Sequence, residues 1–164
     1  MEYSEKKKKR KLEPTAALEQ MQSFCAYQER CHKEVRTRLI DYQVYGDDLE
    51  DIIAELISEG FLNEERFARS YCRGKFRMKK WGRIKIKREL KFKQISEYCI
   101  KKGMTEIDEE EYHETLLQVL EKKNRLLREP DDYKRRQKLT TYAAGRGFEY
   151  DVIKNVLMDL GLIN

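Results

Sequence analysis

Proline is almost missing from this chain of 164 residues, with two copies, and glycine is sparse, with eight. That is too few turn-formers for an all-β fold built from many hairpins, so an all-α chain is expected. Histidine is equally scarce. The two His, with four scattered cysteines and no Cys-x-x-Cys pair, give no reason to expect a zinc site. Cys25, Cys31, Cys72 and Cys99 read as reduced, mostly buried small apolar groups of a cytosolic protein. No apolar run is long enough for a secretory core or a membrane span. A soluble cytoplasmic monomer is therefore expected. Phosphate-loop, G-x-G-x-x-G and H-E-x-x-H patterns are all missing. His32 and His113 read as surface residues without a conspicuous partner. The acids Asp108 to Glu111 read as a helix-capping turn rather than a metal cluster, because consecutive helical residues point around the helix. No catalytic residue, cofactor or metal is expected, and the chain reads as a binding protein.

Charge is what the chain has in abundance. Charged residues make up 40% of it, and apolar residues only another 40%. That proportion calls for a large surface over a modest core, as in a long, thin helical protein. Residues 1–14 are expected to be a disordered basic tail, since Lys6 to Lys9, Arg10 and Lys11 repel one another and bury nothing. Such a tail is expected to add nonspecific nucleic-acid affinity, with a nuclear import signal or an arm seeking phosphates as the other readings.

Helical periodicity follows from Pro14 onward. Leu18, Met21, Cys25 and Gln28 form one stripe, and Val35, Leu39 and Tyr42 the next. Leu49, Ile52, Ile53, Leu56 and Ile57 fill the amphipathic template, with Asp47 or Asp48 as cap and Gly60 as stop. Asn63 caps a fourth helix whose buried stripe is expected at Phe67, Tyr71, Gly74 and Met78, and Trp81-Gly82 breaks it. Ile86 and Leu90 mark a fifth helix, and Ser96 caps a short sixth. Asp108 and Glu111 open a long seventh along Tyr112, Leu116, Val119, Leu120 and Leu127. Pro130 and Asp131 separate it from an eighth with Leu139, Tyr142 and Ala143, and Ile153, Val156, Leu157 and Leu160 carry a ninth.

The first and last parts of this series are alike. "GDDLEDIIAELISEGFL" from Gly46 and "GFEYDVIKNVLMDLGLI" from Gly147 share a Gly, an acidic first turn, an apolar helix, a second Gly and two apolar residues. Their glycines are 14 residues apart in both, and Ile52 and Leu56 correspond to Ile153 and Leu157. The offset fits three tandem three-helix repeats, at 15–62, 63–106 and 107–164. Units of that size bury little alone, so an elongated, curved array is expected.

Positive charge is concentrated in the middle repeat. Arg66 to Lys93 holds thirteen Lys and Arg against the single acid Glu89, a net +12 in a chain of net +5, which leaves −7 for the rest. Like charges at helical spacing are mildly destabilising, and exposed ion pairs return little. A solvated face is one reading; a surface for a polyanion accounts better for the excess. Arg66, Arg69, Arg73, Arg77, Lys80, Arg83 and Lys87 are the expected contacts, spaced along two helices. Trp81, at the corner between them, either stacks on a base or plugs the corner.

The stretch "EGFLNEERFARSYCRGKFRMKKWGRIKIKRELKFKQI", Glu59 to Ile95, resembles the RecX family, the bacterial regulators of the RecA recombinase. Gly60, Phe61, Leu62, Arg66, Phe67, Ala68, Tyr71, Trp81, Gly82, Ile84, Glu89 and Leu90 match its pattern, as do Arg146, Gly147, Phe148 and Ile153 near the end. The resemblance runs from about residue 15 to the C-terminus. It departs from the pattern at Gln94, where the family has glycine, and in the lysine-rich tail. It implies an all-helical curved stack of three-helix repeats. It further implies a protein that lies in the groove of the RecA–DNA filament and restrains ATP hydrolysis and strand exchange, with DNA contact open. A duplex-DNA binder of helix-turn-helix type is the first rival, although "RIKIKRELKFK" offers little for reading base edges. An RNA accessory protein is the second.

Overall fold

A computed structural model describes residues 10–164; the expected tail lies mostly outside these. Nine helices, and no strand, are found among them: α1 (Pro14–Tyr27), α2 (His32–Asp41), α3 (Gly46–Ser58), α4 (Glu64–Lys79), α5 (Arg83–Phe92), α6 (Glu97–Met104), α7 (Glu109–Leu126), α8 (Asp132–Gly145) and α9 (Tyr150–Asp159). They form two compact units that divide between Phe67 and Ala68, inside α4.

In the first unit, α1 to α3 enclose Ala17, Met21, Cys25, Val35, Leu39, Leu49, Ile52, Ile53, Leu56 and Leu62. Pro14 occupies the first turn of α1, where its missing N–H costs nothing. Leu12 is already tied down ahead of it, donating its N–H to the Tyr42 carbonyl at 3.1 Å. The expected aspartate cap of α3 is not used. Gly46 is the first helical residue and Tyr45 the cap, so Asp47 and Asp48 lie inside the first turn, where they favour the helix dipole instead. At the other end, Phe61 and Leu62 both donate to the Leu56 carbonyl and turn the chain into α4. Asn63 caps α4 as expected, its Oδ1 accepting from the Arg66 N–H at 2.9 Å.

The second unit is built on Ala68, Cys72, Phe76, Ile86, Leu90, Ile100, Tyr112, Leu116, Leu120, Leu139, Ala143, Phe148, Ile153, Val156 and Leu157. The buried stripe of α4 is rotated from expectation. Ala68, Cys72 and Phe76 face inward, whereas Tyr71 and Gly74 are half-buried and Met78 is 82% exposed. Small side chains explain the rotation, because α6 approaches α4 so closely that a side chain at Gly103 would strike the Ala68 carbonyl and the Cys72 sulfur. Ser96, Asp108 and Asp131 cap α6, α7 and α8, each accepting from the N–H three residues on.

The four thiols are free. Burial pushes Cys25 up to about 11 and Cys72 up to about 12, consistent with small core groups rather than reactive ones. The histidines do have partners, contrary to expectation. His32 Nδ1 lies 3.4 Å from Glu64 Oε1, and His113 Nε2 lies 2.8 Å from Asp159 Oδ2. Among the described residues no helix is long and apolar enough to cross a membrane.

Candidate functional site

Arginine and lysine in the basic segment have separate uses. Arginine carries a planar fork of donors that matches a carboxylate, and the arginines of α4 and α5 are spent on carboxylates of the same chain. Arg66 binds Glu29 at 2.6 Å and the Gly60 carbonyl at 2.8 Å, within the first unit. Arg69 and Arg73 share Glu106, at 3.0 and 3.2 Å. Arg77 reaches Glu111 at 3.4 Å and keeps more than half of its side chain exposed. The acidic stretch after α6 therefore neutralises one side of α4. The Arg69 hydrogen bond, then that from Arg73, holds the Glu106 carboxyl below the usual carboxylate range.

Arg83 is the most enclosed of the set. Its guanidinium bonds Glu109 and Glu149 and lies over the Tyr112 ring, 4.0 Å from the centroid. Tyr112 is fully buried between Phe76 and Phe148, donates its hydroxyl to Glu149 and accepts from the Arg83 N–H at 3.0 Å. Burial works against the Arg83 charge, but the Glu109 hydrogen bond and the Glu149 carboxylate together outweigh it and push its pKa up. Burial likewise pushes the Tyr112 phenol up. This cluster joins α5 to α7 and α9.

Lysine is treated differently. Among the described residues no carboxylate pairs with Lys75, Lys79, Lys80, Lys85 or Lys87. Lys75 Nζ sits between two half-buried rings, 5.4 Å from the Tyr71 centroid and 4.9 Å from that of Trp81. Lys85 Nζ lies 4.4 Å from the Trp81 centroid, and Lys93 Nζ 5.9 Å from that of Tyr71. Tyr71, Lys75, Trp81, Lys85 and Lys93 thus form one continuous strip in which cations alternate with aromatic faces. Lys79 and Lys80 are exposed beside it. Lys87 is exposed too, but on the opposite side of α5, with Ile84, Arg88 and Lys91.

Backbone packing fixes the corner that presents Trp81. Lys80 adopts φ 56°, and the Trp81 N–H bonds the Lys75 carbonyl at 3.2 Å, closing α4. Gly82 N–H then donates to the Arg146 carbonyl at 2.8 Å, and Ile84 N–H to the Gly147 carbonyl at 2.9 Å. The Arg146 guanidinium returns to the carbonyls of Lys79 and Lys80. Gly82 and Gly147 meet face to face. A side chain on Gly82 would run into the Gly147 backbone, and one on Gly147, already at φ 96°, into Lys85. The two glycine turns therefore hold each other and fix the backbone of Lys85 beside Trp81.

Of the eight residues expected from sequence, the structure places Trp81 on the lysine–aromatic strip, with Lys80 exposed next to it in the chain, Arg77 on α4 and Lys87 on the other side of α5. It places Arg66, Arg69, Arg73 and Arg83 in internal clasps. Lys75, Lys85 and Lys93 enter the sequence reading only through the charge excess, and Tyr71 as a residue of the buried stripe. Lysine rather than arginine was the signal available for three of them, since a flexible point charge does not seek a bidentate carboxylate. Cationic stems and rings at this spacing suit a phosphate backbone with bases able to stack. Metal chemistry has no comparable cluster, because no group of three His, Cys, Asp or Glu residues converges among the described residues.

Two family models match this chain: "RecX, second three-helix domain" over residues 63–104 and "RecX, third three-helix domain" over 109–157, more than half of the chain between them. The regulatory protein RecX of Clostridium perfringens (strain 13 / Type A) is 32% identical over 133 residues, covering 80% of this chain and 62% of that protein. The regulatory protein RecX of Pelodictyon phaeoclathratiforme is 30% identical over 124 residues, 76% of each. The chain thus spans less than two thirds of the Clostridium relative. The crystal structure of RecX from Lactobacillus salivarius superimposes with a TM-score of 0.81, over 92% of this chain and 97% of that one, at 24% identity, a likeness of fold.

Proposed function

Because this chain belongs to the RecX family, we propose that it regulates the RecA recombinase rather than catalysing a reaction, and that the lysine–aromatic strip is the surface it offers to the RecA–DNA filament. Engagement there limits ATP hydrolysis and strand exchange by occupancy: a bound protein obstructs a second DNA or the motion that accompanies nucleotide turnover. The division of labour between the two cations carries this reading. Arginines are neutralised inside the chain, while Lys75, Lys79, Lys80 and Lys85 pair with no carboxylate among the described residues. Ion pairing gives no reason to keep such lysines together, because unpaired like charges repel. A negatively charged assembly does. Arg77, with its weak and exposed partner, joins the contact set.

A RecA ATPase and strand-exchange assay on single-stranded DNA, with the protein added below one copy per RecA, tests the proposal. Inhibition that weakens as salt rises is expected, each lysine on a phosphate adding about 0.7 to 0.9 to the salt slope. Absence of inhibition, together with tight, salt-sensitive binding to naked duplex, would favour the direct DNA binder instead. Against that rival, the exposed side of α5 carries Ile84, Lys87, Arg88 and Lys91, with no Asn, Gln, Ser or Thr to read a base edge.

A further inference from the structure

A second surface lies on the far side of α5. A cleft of about 690 Å³ is lined by Arg83, Ile84, Lys87, Arg88 and Lys91 of α5, Met104 of α6, and Glu149, Asp151 and Val152 at the start of α9. An adjoining depression of about 390 Å³ is lined by Glu97, Tyr98, Ile100 and Lys101 of α6 and shares Lys87 and Met104 with the first. The two form one continuous trough. Its lining includes large apolar side chains open to solvent, Ile84 being 52% and Tyr98 64% exposed. A single exposed isoleucine is ordinary; one set in a concave floor beside Met104 and Val152 is a place for an apolar side chain.

The rim is charged in a specific way. Glu149 is occupied by Arg83 and Tyr112, and Glu97 pairs with Lys91 at 3.2 Å. Arg88 is held only by its neighbour Glu89, at 3.7 Å. Lys87 and Lys101 have no carboxylate partner among the described residues, which leaves Asp151 as the opposing uncommitted acid. The trough therefore carries surplus positive charge beside its apolar side chains. It differs from the lysine–aromatic strip in setting aliphatic side chains, Ile84, Met104 and Val152, among its cations in place of aromatic rings.

We propose that the trough between α5, α6 and the start of α9 is a docking site for an acidic, amphipathic segment of a partner protein, distinct from the nucleic-acid face. The apolar residues of that segment settle on Ile84, Met104 and Val152, and its carboxylates meet Lys87, Arg88 and Lys101. The complementarity is of charge and of shape together.

Fluorescence anisotropy with a labelled 14-residue helical peptide, Glu on one face and Leu on the other, tests this, with a Lys/Leu peptide of the same pattern as control. The Glu/Leu peptide is expected to bind and the Lys/Leu peptide not. Lys87→Glu with Lys101→Glu should weaken binding about tenfold, and Ile84→Ser several-fold. Lys75→Ala with Lys85→Ala should leave it within twofold, and a 12-nucleotide single strand should not displace the peptide. Helical circular dichroism confirms that each variant folds. Equal binding of both peptides, displacement by the oligonucleotide, or insensitivity to the trough substitutions would each overturn the inference. None of these outcomes depends on RecA, so the inference and the proposed regulation fail independently.

Discussion

At the residue scale, the glycine pair Gly82 and Gly147 determines whether the Trp81 corner exists. Both close contacts are with backbone or with Cβ, which cannot swing aside, and Gly147 adds a left-handed φ. Gly147→Ala is therefore expected to lower the unfolding free energy by about 3 kcal/mol, from backbone strain and overpacking together. Gly74, inside α4 with open space where a side chain would go, behaves oppositely, and Gly74→Ala should stabilise by about 0.5–1 kcal/mol. Urea unfolding of the two variants distinguishes them by sign. Glu106 gives a pH signature. Its folded pKa is depressed by Arg69 and Arg73, so its contribution is fully present above the ordinary carboxylate value, near 4.3, and is lost as pH falls through the folded value. Glu106→Gln should lower stability at pH 7 and flatten the loss of stability below about pH 4. An acid limb as steep as that of the parent protein would show that the clasp contributes nothing.

At the element scale, α4 shows both what a sequence tells and what it hides. Its extent, its Asn63 cap and its end at Trp81-Gly82 follow from local rules, and so do the caps at Ser96, Asp108 and Asp131. Its orientation does not. Following the large apolar residues leads to Phe67, Tyr71 and Met78; Phe67 is buried as expected, but beyond it the core takes the Ala68–Cys72–Phe76 face, because Gly103 of α6 approaches closely there. Which helix lies opposite is a tertiary fact that periodicity cannot supply. The misplaced stripe is informative in itself, since Tyr71 and Met78 were left outside together with the lysines. Phe76→Ala should cost about 3–5 kcal/mol, and Met78→Ala should stay within about 0.5 kcal/mol. Thermal unfolding of the pair checks the register of α4, and a large loss in Met78→Ala would refute it.

At the scale of the whole molecule, the charge excess of Arg66 to Lys93 and the acidity of the sequence after α6 turn out to be one arrangement. Glu106, Glu109 and Glu111 follow α6 and meet Arg69, Arg73, Arg77 and Arg83. The sequence displays both charge blocks, but a count of charges does not reveal which cations the acids consume. The chemistry of the side chains does: forked guanidinium groups close the fold, and ammonium groups at the ends of flexible stems remain for a partner. The histidine partners were illegible for a related reason. His113 and Asp159 are far apart in sequence and meet only once α7 and α9 are assembled. The trough between α5, α6 and α9 has the same origin, since its walls come from three separate stretches of the chain.

The most direct measurement is inhibition of the RecA ATPase by the triple variant Lys75→Glu, Lys80→Glu, Lys85→Glu, with its unfolding midpoint recorded on the same sample. Loss of inhibition by at least tenfold in concentration, with the midpoint unchanged within about 2 °C, is the predicted result. Inhibition equal to that of the parent chain, from a variant that folds normally, would contradict the assignment of the lysine–aromatic strip to the filament.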